Sequence, residues 1–151
     1  MTGGDLAALL AHTGGEAIVE SLILLEESNL TLVDQDSLYA TYASKVTDED
    51  KTLRWERGAR EVHDLIRALA PHIGARTFHP EIEGPIKIWR SRIRDEATVS
   101  SSIGHIKAEN WVIMVNCGTG SVEMLELQMP GGRRLSARDF LLGNSLEGAF
   151  R

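Results

Sequence analysis

Residues 86–94, Ile86-Lys87-Ile88-Trp89-Arg90-Ser91-Arg92-Ile93-Arg94, alternate apolar and polar side chains and then slip by one. Ile86 and Ile88 share a phase, and Ile93 is out of step with both. The stretch Ser121-Val122-Glu123-Met124-Leu125-Glu126-Leu127-Gln128 does the same: Val122 and Met124 are followed by Leu125 and Leu127. Alternation of this kind marks a half-buried strand. A slip of one residue turns every later side chain to the other face, so each strand is expected to carry a bulge or sharp bend. Small barrels turn their corners with such bulges. With the bulge near Trp89, Arg90, Arg92 and Arg94 all point outward from one strand.

Period-two patterning extends to both sides. Strands are expected at 76–82, 86–94, 111–117 and 121–128, with a short one at 103–107. Glu83-Gly84 and Gly118-Thr119-Gly120 read as hairpin turns between neighbours. Five short strands in so little chain must close or be covered to hide their edges, so the fold class is α+β with a small five-stranded barrel. Before the strands, Gly58 to Ala70 reads as a helix with Val62, Leu65, Ile66 and Leu69 on one face; Pro71 ends it and Gly74 permits a turn. After them, Ser136 with Asp139 resembles a capping box that opens a short helix through Leu142, stopped at Gly143.

The N-terminal third has a different character. Thr2 and Asp5 form a capping-box pattern, and Leu6, Leu9 and Leu10 follow at helical spacing. Gly14-Gly15 interrupts, because each glycine costs a helix interior roughly 1 kcal/mol. We therefore expect a helix near 4–12, a kink or break, and a second helix near 15–28, with a wide apolar face that needs something to lie on. Residues 29–56 read as a linker crossing a surface, too long for a plain loop between packed elements. The expected organisation is 1–28 helical, 29–56 linker and 57–151 barrel domain.

Composition bounds the function. The chain has 151 residues, a net charge of −6 and one cysteine, Cys117, which excludes an internal disulfide and fits a reducing, cytoplasmic setting. No uninterrupted apolar run approaches membrane-spanning length, so no membrane role is expected. One Cys and five scattered His leave no structural zinc spacing, and no metal is expected. Overall acidity argues against nucleic acid, but the charge is unevenly placed. Residues 1–50 hold one lysine against ten acids, net −9, while residues 51–151 hold fifteen Lys or Arg against twelve acids, net +3.

A series of landmarks in fixed order carries a resemblance. These are Ala40-Thr41-Tyr42-Ala43-Ser44-Lys45, Leu65-Ile66-Arg67-Ala68-Leu69, Gly74-Ala75, Lys87 to Arg92, Leu125-Glu126-Leu127-Gln128 and Ser136 to Leu141. Together they resemble the C-terminal half of methionyl-tRNA formyltransferase. The resemblance implies that residues 1–28 are the last helices of a catalytic domain, 29–56 an interdomain linker and 57–151 an OB-like domain that contacts tRNA. Formyltransferases of amino-sugar nucleotides share this plan, but Leu125 to Gln128 with Arg133-Arg134 and Ser136 to Phe140 look closer to the tRNA enzymes. Arg54, Ser44 and the stretch Ala70-Pro71-His72-Ile73-Gly74-Ala75 depart from the family's usual Asp, Pro and Asn-Pro-Trp-Pro-Gly-Ala. The family's catalytic Asn, His and Asp and its folate-binding loop have no counterpart. The chain is accordingly expected to be a fragment, a truncated product or one piece of a split protein, inactive alone and binding no cofactor; 10-formyltetrahydrofolate is the family's co-substrate.

The residues themselves offer no substitute chemistry. His63, beside Glu61 and Asp64, reads as a surface histidine, and Cys117 as a small buried hydrophobe, because reactive thiols need a cationic surround. Gly14-Gly15 and Gly131-Gly132 lack the strand–loop–helix setting of a phosphate loop. RNA binding is better supported. Lys87, Arg90, Arg92, Arg94, Arg133, Arg134 and Arg138 supply charge and, in the arginines, planar multidentate donors for phosphate. Composition alone reads them equally as solvated strand faces; the resemblance points to RNA, with methionyl initiator tRNA and a separate catalytic formyltransferase domain as expected partners. The rival reading is a structural or dimerising module with no RNA role.

Overall fold

The computed structural model describes residues 1–151. A long helix α1 (Gly3–Glu26) is followed by an extended segment with one 3-10 turn (Ser37–Tyr39), helix α2 (Ala59–Leu69), six strands and a short helix. The strands are β1 (Ala75–His79), β2 (Ile82–Val99), β3 (Ile106–Glu109), β4 (Val112–Asn116), β5 (Thr119–Gln128) and β6 (Arg134–Ser136); helix α3 (Ala137–Leu141) follows directly. All pairing is antiparallel, in the order β1-β2-β5-β4-β3, with β6 on β5 beyond the end of β4. The sixth strand adds to the five expected.

Both phase slips are bulges, and they face each other. Ile88 pairs with Leu127 and Arg90 with Glu126, leaving Trp89 without a counterpart; Ser91 then pairs with Met124, leaving Leu125 without one. Alternation thereby keeps Ile86, Ile88, Val122, Met124 and Leu127 in the core on either side of the slips. The C-terminal tail closes the barrel between its two free edges. Ile106 N–H donates to Gly148 O (2.9 Å), Phe150 N–H to Gly104 O (3.0 Å) and Arg151 N–H to Phe78 O (2.9 Å). Phe150 stacks on Trp55 with centroids 5.5 Å apart, filling the barrel end that the tail covers. An open edge would expose unpaired backbone groups to aggregation; the tail removes it.

Turn chemistry differs from the sequence reading at two places. The β1–β2 turn is Pro80-Glu81, since His79 pairs with Ile82; Gly84 lies inside β2 at φ +94. Proline has no N–H to give a ladder, so the chain turns there and glycine absorbs the distortion within the strand. The β3–β4 turn is Asn110-Trp111, both at positive φ, so Trp111 is a turn residue rather than the start of a strand.

Helix α2 caps the barrel with Ala59, Val62, Ile66 and Leu69 buried. Residues 52–55 also join the core. Leu53 N–H donates to Arg76 O, and Trp55 Nε1–H donates to Thr77 Oγ1 at 2.8 Å. Gly118 is required here. Its N–H donates to the carbonyls of Trp55 and Arg57, and a Cβ would collide with the Glu56 carbonyl.

Helix α1 is continuous, not two helices. A Cβ at Gly14 or Gly15 would meet nothing within 4 Å beyond the helix itself, so no packing forces a break. Breaking would strand backbone donors and acceptors at two new ends, which outweighs roughly 1 kcal/mol per glycine. The helix touches the rest of the chain at its first turn: Gly4 N–H donates to Ala70 O at 3.0 Å, and Arg67 Nη1–H to Met1 O at 3.1 Å. Beyond that, Leu9, Leu10, Ile18, Val19, Leu22 and Ile23 lie more than half exposed. By length and composition α1 is apolar enough to cross a membrane. The run-length reading missed this because Glu16 and Glu20 interrupt the apolar series. Leu32, Val33 and Tyr42 in the extended segment, and Leu38 and Tyr39 in its 3-10 turn, are exposed as well.

Candidate nucleic-acid interface

Ion pairing divides the basic residues into two sets. Lys51, Arg54, Arg57, Arg60, Arg67, Arg76 and Lys107 each meet a carboxylate. Arg92 and Arg94, expected to reach outward for phosphate, share one: Glu123 Oε2 lies 2.7 Å from Arg94 Nη2 and 3.9 Å from Arg92 Nη1. The Glu123 side chain is only 10% exposed, and the Arg94 contact lacks hydrogen-bond alignment, so the attraction is ionic. Lys87, Arg90, Arg133, Arg134 and Arg138 have no acidic partner, and neither do Lys45 in the extended segment and Arg151 at the end of the tail.

Strand register brings the unpaired set together. Lys87 on β2 pairs with Gln128 on β5, which pairs with Arg134 on β6. Beyond the intervening Ile88–Leu127–Leu135 row, Arg90 pairs with Glu126, which pairs with Ser136. Ser136 is the N-cap of α3, so Arg138 follows within the first turn of that helix. Arg133 sits immediately before β6 and is exposed, as are Arg90 and Arg138. The acids in this neighbourhood are Glu126 and Asp139, and Asp139 is held by the Ser136 hydroxyl at 2.7 Å. Arg90 therefore lies across from an acid but is not ion-paired with it.

Trp89 is the centre of the patch. The bulge buries its ring outside the continuous core. Its Nε1–H donates to Gln128 Oε1 at 3.0 Å, and Gln128 Nε2–H donates to Gly132 O at 2.8 Å. The Arg134 guanidinium carbon sits 3.3 Å from the ring centroid, and Arg134 Nη2–H donates to Pro71 O at 2.6 Å. Lys87 Nζ approaches the ring to 5.5 Å. Gly74, at φ +79, lets the ring edge in; a Cβ there would stand 2.9 Å from it. A cation over an indole face is attracted by the ring quadrupole, worth about 0.5–2 kcal/mol depending on desolvation. The sequence reading places Arg134 among the phosphate ligands. The structure gives Arg134 an internal partner and makes Trp89 its platform. Gln128 was missed as a polar bridge; no local signal marks it, because Trp89 and Gln128 are far apart in sequence.

Acid–base candidates are not assembled. His63 is partly buried against β2, with Nδ1 2.8 Å from Ser91 Oγ, and burial lowers its pKa. Asp64 is turned to Arg67 at 2.8 Å rather than to His63. Burial pushes the Cys117 thiol up to about 11, so at neutral pH it is not a nucleophile. His79 accepts from Glu81 N–H at Nδ1, so Nε2 carries the proton that bonds Glu147 O at 2.6 Å. That places it in holding the C-terminal tail.

This architecture defines a class: a small, barrel-like α+β domain with a helical extension and one unpaired basic patch. Residues 45–145 match the family described as formyl transferase, C-terminal domain, and the chain belongs to that family. Over its whole length the chain is 55% identical to a methionyl-tRNA formyltransferase of Rubrobacter xylanophilus, of which it covers 49%. It is 36% identical over 97% of its length to a methionyl-tRNA formyltransferase of Herminiimonas arsenicoxydans, of which it covers 46%. The chain spans about half the length of these curated relatives and corresponds to their C-terminal half. Among solved structures, a HypX variant from Aquifex aeolicus superimposes with a TM-score of 0.64 at 15% identity, over 88% of this chain and 24% of HypX. HypX from Aquifex aeolicus in complex with tetrahydrofolic acid gives 0.61 at 13% identity, over 83% of this chain and 22% of that one. At such identities the likeness concerns the fold.

Proposed function

We propose that this chain is the tRNA-holding part of a methionyl-tRNA formyltransferase, in the bacterial cytoplasm. The full enzyme would transfer a formyl group from 10-formyltetrahydrofolate to methionyl initiator tRNA in translation initiation. The chemistry would reside in the half that this chain does not contain, and the apolar face of α1 would pack against that half. The observation that carries the reading is that Lys87 and Arg90 on β2, Arg133 just before β6 and Arg138 in α3 have no carboxylate partner, on segments that β5 joins by pairing with both β2 and β6, in a chain 55% identical to an enzyme of that name. Arginine left unneutralised inside an acidic protein is available to phosphate, and phosphate contacts fix position and orientation without reading sequence. Arg92 and Arg94 take a lesser part, because Glu123 already holds them.

Binding of the 151-residue chain to an initiator tRNA transcript, followed across a salt series, tests the reading. Each neutralised phosphate releases condensed counterions, so affinity should fall steeply with salt from about the micromolar level. Absence of binding at low salt, or binding indifferent to salt, would favour a module with no RNA role.

A further inference from the structure

The β5–β6 connection, residues 129–133, carries Arg133 and is built to be held still. Gly132 O is fixed by Gln128, Gln128 is fixed by Trp89, and Arg134, the next residue on, is fixed by Trp89 and by Pro71 O. Gly131 takes φ +70 within the turn, so the chain folds back sharply just before Arg133. A free arginine on a loose turn loses much rotamer and backbone entropy when it orders on a phosphate. Here Gly132, the residue before Arg133, is anchored beforehand, its carbonyl by Gln128 and its N–H by Met129 O.

The anchor also reaches α1. Pro71 O receives Arg134, while the preceding carbonyl, Ala70 O, receives the Gly4 N–H that docks the start of α1. A Cβ on Gly4 would stand against the Pro71 ring, so only glycine lets the helix sit this close. The dock of α1 and the turn that bears Arg133 are therefore two sides of the same short segment.

We propose that Trp89, Gln128 and Arg134 are positioning residues that hold Arg133 in register with the start of α1, so that RNA phosphate is met at a fixed place relative to whatever α1 carries. This rests on the RNA-binding reading above. Arg134 then acts through Trp89 and Pro71, and Arg133 is the group that touches phosphate.

The test is a double-mutant cycle on the whole chain with an initiator tRNA transcript as probe. Its corners are wild type, Gln128→Met, Arg133→Gln and the double variant. Gln128 carries no charge, so an electrostatic ligand role for it is excluded from the start. Arg133→Gln should weaken binding roughly fivefold in wild type but have almost no effect in the Gln128→Met background, as expected for residues that act as a unit. Hydrogen exchange without RNA supplies the second readout: amides of 129–133 should exchange faster in Gln128→Met while Tm stays near wild type. Additive effects of the two substitutions, or unchanged exchange in 129–133, would overturn the positioning role. If the wild-type chain bound no tRNA, the functional reading would fall, and the exchange data would still decide whether the network holds the turn.

Discussion

Arg94 Nη2 stands 2.7 Å from Oε2 of Glu123, a carboxylate whose side chain is nine-tenths buried between β2 and β4. The pair is asymmetric, since the Arg94 side chain is 44% exposed. Removing the arginine strands a buried charge; removing the carboxylate releases a cation that water can solvate. Arg94→Met should therefore cost about 2 kcal/mol of stability, tempered by Arg92 nearby. Glu123→Gln should cost about 1 kcal/mol or less. Urea denaturation of both variants checks the order. Glu123→Gln should also bind tRNA more tightly than wild type, because it frees two arginines; a reversed stability order would mean that the carboxylate is solvated rather than buried.

Helix α1 makes no buried contact after its first turn, so its apolar face adds nothing to the barrel's stability. Ile18→Glu and Leu22→Glu should leave the unfolding free energy of the barrel within about 0.5 kcal/mol of wild type. The same substitutions should reduce self-association in analytical ultracentrifugation, because large exposed apolar patches drive it. Amides beyond the middle of α1 should exchange quickly, and those of β2 and β5 slowly. Strong protection along all of α1 in a clean monomer would mean that the helix folds back on the barrel.

His63 binds its proton less readily in the folded chain than the ordinary histidine value of 6.5, chiefly because burial against β2 disfavours the charged ring. The unfolded chain therefore takes up the proton first as pH falls. The stability contribution is fully present above 6.5 and is lost as pH drops through that value towards the lower folded one. His63→Asn should flatten the fall in stability between about pH 7 and 5. An unaltered pH profile in that variant would assign the fall to carboxylates instead.

The sequence made the barrel readable because its signal is local. The phase slips at Trp89 and Leu125 appear in single strands, and the pairing Ile88–Leu127, Arg90–Glu126, Ser91–Met124 puts them opposite each other. The continuity of α1 was not readable: glycine propensity counts against a helix, but nothing beyond the helix would meet a Cβ at Gly14 or Gly15, so no packing turns that weak cost into a break. Strand β6 is three residues long and shows no periodicity of its own. The closing tail, Gly148 to Arg151, is held by backbone bonds to partners more than forty residues away, which side-chain patterning does not encode. At the candidate interface, residue types were legible and partners were not. Arg90, Arg92 and Arg94 look alike in sequence; only the cross-strand neighbour, Glu126 or Glu123, and its burial separate the unpaired arginine from the two that are held.

The most direct measurement compares the salt dependence of initiator-tRNA binding for wild type, Arg133→Gln and Arg92→Gln. Loss of one phosphate contact reduces the slope of log affinity against log salt by about 1. Arg133 has no carboxylate partner, so Arg133→Gln should weaken binding and flatten the slope by that amount. Arg92 shares Glu123 with Arg94, so Arg92→Gln should leave both close to wild type. Equal losses for the two variants, or a loss confined to Arg92→Gln, would contradict the claim that the cations without carboxylate partners form the RNA-binding surface.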